Sequence, residues 1–485
     1  MKKSKLYRFL SYSLAASFML QPLPTLADKA EAPKQKTNTN QPAPGSLIDT
    51  LVKTYQTNPE LAGQQATLRA TDEGVARANA GWRPTIEGSS SFVKQEQHSA
   101  LSENSIPRTG TGRRAESKSV NSSVTGSYNL YKGGTTVGGV KAAKQQVKAG
   151  RGELKEKEQT VLLSAIKAHL EYVQATRNVK LQKDNVATLA KQLRSAEARV
   201  EATVGSKLDV EQVKSDLAGA KADLRSARAN VVVKSKEYER IVGVKPQNLV
   251  LETQNAKLPF ASSNLKNLYD EAVEIAFHNN PTLKKAIYAE KAQRTAVRVA
   301  KGGFLPSVDL QASASRNRSF QSPNGRGVVS SVQLTAQLKV PFYSAGVTSS
   351  DVRKGYQNLT KARTDLDLVR RQVTEGVISA MEQFDAAIEI LKLRVSQVNS
   401  ARTSYEGTEA KYQVGAIANI DVLQQNTRYQ QAKVAMLEAQ KNKVLASYQV
   451  LSALGLLTAE ELKLPVELYD PVEHYDEVRG QWWGY

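Results

Sequence analysis

Two spacings of apolar residues divide the chain. Over residues 120–130 the even positions are Val120, Val124, Gly126, Tyr128 and Leu130, and the odd ones Asn121, Ser123, Thr125, Ser127 and Asn129. Residues 307–315 (Val308, Leu310, Ala312, Ala314) and 332–342 (Val332, Leu334, Ala336, Leu338, Val340, Phe342) alternate likewise, and 85–92 more weakly. Strand side chains point to opposite faces in turn, so this period of two predicts four strands with one apolar and one wet face. Elsewhere apolar residues step by three and four. Val210, Val213, Leu217, Ala220, Leu224, Ala227 and Val231 form one series, and Leu359, Ala362, Leu366, Val369 and Val373 another. This predicts helices with thin seams that pack as coiled coils. Residues 142–203 and 347–413 hold no proline. At 1.5 Å per residue the first would run roughly 90 Å. Gly205 and Gly415 are expected to break the long helices and turn each into a helical hairpin.

The plan occurs twice. A shift of 222 places Asn58-Pro59 on Asn280-Pro281, Leu61 on Leu283, Trp82 on Phe304 and Pro84 on Pro306. A shift of 212 places Tyr131 on Tyr343, Gly134 on Gly346, Asp209 on Asp421 and Gly243 on Gly455. Each half reads as helix, two strands, long helix, helix. Residues 46–257 form the first repeat, 258–457 the second and 458–485 a tail. A unit of this size marks a duplicated domain, not a solenoid.

Lys2, Lys3, Lys5 and Arg8 precede a mostly apolar stretch, residues 9–20, and a small-residue site at Thr25-Leu26-Ala27. This predicts a secretory signal peptide, 1–27, followed by a disordered lead-in, 28–45. Removing the four basic residues and no acid takes the formal charge from +20 to +16. Export makes nucleic acid an unexpected partner for that charge. The absence of cysteine excludes disulfides, cysteine-held metals and a lipidated N-terminal cysteine. His98, His169, His278 and His474 are scattered, and no nucleophile elbow or phosphate loop is complete. The chain is therefore read as a non-enzyme with no cofactor and no metal site.

Alternating strands in an exported chain suit a membrane β-barrel, apolar toward lipid. Four strands cannot close one, and open edges are forbidden in lipid. Two chains would supply eight strands and three would supply twelve, and the same symmetry would wrap the long helices into a tube. A barrel joined to a tube is a conduit. The alternative is a periplasmic coiled-coil structural or adaptor protein, or a surface adhesin.

The paired Asn-Pro-x-Leu openings, the Pro84 and Pro306 strand entries, the Tyr-x-x-Gly exits (Tyr131 to Gly134, Tyr343 to Gly346) and the Val-Gly…Asp-Val tips resemble outer-membrane efflux proteins of the TolC family. The resemblance covers roughly residues 46–457. It implies an α+β membrane protein: a homotrimer with a twelve-stranded outer-membrane barrel, four strands per chain, continuous with a periplasmic α-helical coiled-coil barrel. It also implies an exit duct for drugs or proteins in an efflux or type I secretion system. Such a duct docks on a periplasmic adaptor (membrane fusion) protein and an inner-membrane pump or ABC transporter, and meets outer-membrane lipid.

By the same resemblance, Asp421 matches a constriction aspartate, and Gln424 stands where some members carry a second one. Tyr412 and Asp209 match residues that tie neighbouring hairpins, and Ile417 stands where some members place a latch arginine. Val204, Gly205, Val414, Gly415 and Ile417 would meet the adaptor. From the residues alone, Asp209 and Asp421 also read as helix N-caps. Gly205 to Asp209 spans four residues and Gly415 to Asp421 six, which implies a two-residue deletion in the first tip. The loops between strands carry Arg113 and Arg114, and Arg316, Arg318 and Arg326, which suit contact with lipopolysaccharide phosphates outside the cell.

Overall fold

The computed structural model describes residues 43–99, 113–203, 205–250, 256–259, 265–321 and 326–482. The expected signal peptide, most of the lead-in, Val204 and most of both strand-joining loops lie outside the described residues.

The first helix of each half is two helices. Ser46 caps α1 (Leu47–Thr57), its Oγ accepting the Asp49 N–H at 3.1 Å. Asn58 ends α1 and caps α2 (Pro59–Ala80), where Pro59 has no N–H to continue the ladder. Asn280 does the same between α5 (Leu265–Asn279) and α6 (Pro281–Lys301). These asparagines also reach across the fold. Each long helix, α3 (Thr135–Glu201) or α7 (Val347–Gln413), is followed by a shorter one, α4 (Lys207–Val242) or α8 (Asn419–Leu454). Asn58 Nδ2 donates to the Ile241 carbonyl at the end of α4 (2.8 Å), and Asn280 Nδ2 to the Ala453 carbonyl at the end of α8 (3.1 Å). The Asn-Pro pair is thus a cap on one helix and a tie to another.

α3 and α7 have 67 residues each, or about 100 Å, and α4 and α8 have 36 each. α2 and α4 pack along α3, and α6 and α8 along α7. Contacts of α3 with α6 and α8 join the halves. The main core lies midway along α3, where Leu162, Ile166 and Leu170 meet Leu47, Leu51, Tyr238, Val242 and Leu451. His169 is fully buried there. Its Nε2–H donates to the Val250 carbonyl (3.0 Å), so Nδ1 accepts from Thr50 (2.8 Å), whose hydroxyl oxygen takes the Tyr238 proton (3.1 Å). Among the described residues no helix is long and apolar enough to cross a membrane.

The four strands form one antiparallel sheet in chain order: β1 (Thr85–Ser99), β2 (Arg113–Lys132), β3 (Ser307–Gln321) and β4 (Gly327–Lys339). Register puts every alternating apolar set on the same face. Ile86 lies opposite Gly126, Phe92 opposite Val120, Val124 opposite Ala314, Tyr128 opposite Leu310, and Ala314 opposite Val332. This face is bare: Val332 is 88% and Leu334 72% exposed. The other face carries hydroxyl pairs, Thr85 with Ser127 (2.7 Å), Ser89 with Ser123 (2.8 Å) and Ser315 with Ser331 (2.8 Å).

β2 and β3 run past their alternating stretches, because ladder hydrogen bonds do not require apolar side chains. β4 stops at Lys339, since Pro341 has no N–H to donate, and Val340 and Phe342 leave the sheet. A register shift between Asn129 and Tyr131 brings Tyr131, not Leu130, opposite Val308. Longer strands also relocate the basic residues. Arg316 and Arg318 lie within β3, paired with Ser330 and Val328, rather than in a loop. Arg113 and Arg114 begin β2, their side chains outside the described residues, and Arg326 is exposed just before β4.

After α8 the chain returns along α2 and α3. Glu158 Oε1 accepts the Ala459 N–H (2.6 Å), Tyr55 Oη accepts the Tyr469 N–H (3.2 Å), and the short α9 (Glu473–Val478) packs on α2. Burial pushes the Glu158 carboxyl up, against the lowering effect of that N–H.

Candidate functional site

The tips of the two helical hairpins hold the expected site residues. α7 ends in a Schellman motif: Gly415 N–H donates to the Tyr412 carbonyl (2.9 Å) and Ala416 N–H to the Lys411 carbonyl (3.0 Å). Gly415 takes the left-handed conformation this needs, with φ 77°. In the first tip that position is Thr203, φ 61°, whose N–H donates to the Val200 carbonyl (3.0 Å). Gly205 is not the turn residue. A Cβ there would lie 2.9 Å from the Arg199 carbonyl carbon and the Val200 nitrogen, so Gly205 permits the close return of the chain. Counted from the left-handed residue, each aspartate follows by six positions, Thr203 to Asp209 and Gly415 to Asp421. The first tip therefore has no deletion. The sequence pattern misled because a β-branched residue occupies a site where glycine is the usual choice.

Neither aspartate is an N-cap. Ser206 caps α4, its Oγ accepting the Leu208 N–H at 3.1 Å, and Ala418 precedes α8 without a side-chain acceptor. Asp209 and Asp421 occupy the third helical position, where a carboxylate faces the positive end of the helix dipole. Asp209 is half-buried, whereas Asp421 and Gln424, one turn apart on α8, are exposed. Val414 is 81% exposed, Gly205 and Gly415 are exposed, and Ile417 is half-buried.

Tyr412 meets a residue the sequence did not single out. The Arg199 guanidinium, in the last turn of α3, lies 4.7 Å from the centre of the Tyr412 ring, and its Nη1 donates to the Tyr412 carbonyl at 3.4 Å. This clasp joins the ends of the two long helices. Beside it, Gln192, Arg199, Glu409, Tyr412 and Asn419 border a cavity of about 230 Å³. The buried Asn419 amide nitrogen and Gln192 amide oxygen have no partner there. Deeper, Gln192 donates to the Tyr405 hydroxyl (3.4 Å), and Tyr405 stacks on Tyr429 at 6.0 Å. Burial, with Glu409 nearby, pushes the Tyr405 hydroxyl up to about 12. Asn426 Nδ2 donates to Asn185 Oδ1 (3.1 Å), and Leu189, Val213, Leu217 and Leu423 close an apolar layer between the hairpins. Among the described residues no group of His, Asp and Glu could hold a metal ion.

A duplicated helix–sheet chain with a bare apolar sheet face and a paired-hairpin tip is what a known family shares. The family model described as outer membrane efflux protein matches residues 50–244 and 272–456. The chain belongs to the outer membrane efflux protein family. It is 29% identical over 411 residues to the outer membrane efflux protein BepC of Brucella suis biovar 1, covering 84% of this chain and 85% of that protein. It is 24% identical over 414 residues to the outer membrane protein TolC of Vibrio cholerae, covering 84% and 90%. The crystal structure of CusC superposes with a TM-score of 0.72 at 14% identity, covering 86% of this chain and 95% of that one. Members of the outer membrane efflux protein family are channel proteins rather than enzymes, and they reside in the outer membrane and reach into the periplasm. The alternative of a periplasmic adaptor or adhesin gives way to this membership.

Proposed function

We propose that three copies of this chain close a twelve-stranded barrel in the outer membrane and a helical tube beneath it, a passive exit duct for drugs, toxic compounds or proteins. The observation that carries this reading is the open four-stranded sheet. Its apolar face needs lipid, and the free edges of β1 and β4 need strands from further copies. A periplasmic adaptor and an inner-membrane pump or ABC transporter engage the exposed tip around Val414, Gly415 and Gly205 and open it. Asp421, with Gln424 a turn away, supplies an anionic ring on the axis, and Asp209 and Tyr412 belong to the links between hairpins. Arg316 and Arg318, at the far end of the apolar sheet face, suit lipopolysaccharide phosphates.

Native mass spectrometry in detergent tests the assembly: a three-chain species is expected, and a stable monomer or dimer would refute it. Planar-bilayer recording tests the tip. Asp421→Ala is expected to raise single-channel conductance and weaken block by divalent cations, and unchanged values of both would remove Asp421 from the gate.

A further inference from the structure

The chain has three tryptophans, at 82, 482 and 483. Trp82 lies in the turn between α2 and β1, and the returning segment brings Trp482 to the residue after it, Arg83. The Arg83 guanidinium donates to the Gln481 carbonyl and to the Gly480 carbonyl (3.4 Å), and lies 4.8 Å from the centre of the Trp482 ring. One turn earlier, Asn79 Nδ2 donates to the Arg479 carbonyl (2.9 Å). Asn79 in the last turn of α2 and Arg83 just beyond it thus hold three successive carbonyls, 479 to 481, of a segment four hundred positions away.

The helix–strand junctions at this level are aromatic and bare. Trp82, Phe304 and Phe342 flank the helix–strand junctions, and Phe342 is 95% and Trp482 62% exposed. Exposed aromatic rings at the level where an apolar strand face begins, one of them against the Arg83 guanidinium, have the chemistry of the boundary between phospholipid headgroups and acyl chains. A solvated carboxy-proximal segment would have no need of two clamping side chains and an outward indole.

We propose that the segment around Trp482 is a membrane-surface anchor: Arg83 holds it so that the Trp482 indole lies in the headgroup boundary of the periplasmic leaflet of the outer membrane, widening the aromatic belt that Trp82, Phe304 and Phe342 begin. The anchor braces the returning segment, and through it α2, against the bilayer. This role is independent of the tip and of what the duct exports.

A W82F/W483F protein keeps Trp482 as its single tryptophan. In vesicles of phosphatidylethanolamine and phosphatidylglycerol, brominated phosphatidylcholine carrying bromine near the headgroup is expected to lower Trp482 emission about two-fold, the indole lying at the interface. Bromine near the acyl-chain ends is expected to have little effect. Equal emission in plain and brominated vesicles would overturn the proposal. Strong acrylamide quenching would then show a wet indole, and its absence one packed against protein. R83Q in the same background, with its oligomer checked by native mass spectrometry, is expected to lose bromine quenching and gain acrylamide quenching. Unchanged bromine quenching in R83Q would overturn the part given to Arg83.

Discussion

Replacing Arg199 with alanine is expected to open the duct without dismantling it. Arg199 makes two contacts with Tyr412, and both bridge the hairpins. The guanidinium over the ring at 4.7 Å is worth about 0.5–1 kcal/mol at a half-buried site. The hydrogen bond to the carbonyl, long at 3.4 Å, adds about 0.5 kcal/mol. One clasp then contributes about 1–1.5 kcal/mol to the arrangement in which the tips touch. Three clasps broken together in a threefold assembly come to about 3–4.5 kcal/mol, or two to three decades in the closed-to-open ratio at about 1.4 kcal/mol per decade. Planar-bilayer recording measures this as open-time fraction. Arg199→Lys keeps the charge but loses the planar stack, so it is expected to fall between wild type and alanine. Arg199→Ala channels with wild-type open time and an intact oligomer would refute the reasoning.

Two further outcomes concern stability. Thr203→Gly removes a β-branched residue from the left-handed region, which costs about 1–2 kcal/mol, though glycine returns part of that as unfolded-chain entropy; the net is a rise in the heat-dissociation midpoint, and a fall would show that Thr203 is not strained. Glu158 has its carboxyl raised above the ordinary value by burial, so the folded state holds its proton more tightly than the unfolded chain. Wild-type stability is therefore expected to decline as pH rises from the ordinary carboxylate value through the raised one. Glu158→Gln, which keeps an acceptor for the Ala459 N–H, should lose that slope, and denaturation profiles of equal pH dependence would contradict it.

The sheet was legible in the sequence because a strand with one lipid-facing side must alternate, and the register then aligned what the pattern had marked. The Asn-Pro breaks were legible as doubled motifs, yet their second role was not. That Asn58 ties the junction to Ile241 and Asn280 ties it to Ala453 depends on which helix ends meet. The tips were half legible. Asp209 and Asp421 could be paired, but the turn residue was misread, because the rule that glycine takes the left-handed position fails at Thr203. Arg199 was invisible for another reason. It reads as a cation in the last turn of a helix, in register with Lys411 of the second repeat, and its partner is 213 residues away.

The free edges of β1 and β4 have a consequence for biogenesis. The long helices can find their seams within one chain, but the sheet is left with unpaired backbone on both sides and a bare apolar face until other copies arrive. Folding of the sheet is therefore of higher order than one in chain concentration, and a lone exported chain is a sticky intermediate that must be escorted, joined or degraded. A variant that folds its helices but cannot pair β1 with a neighbour would act dominantly, trapping good copies in rings that never close.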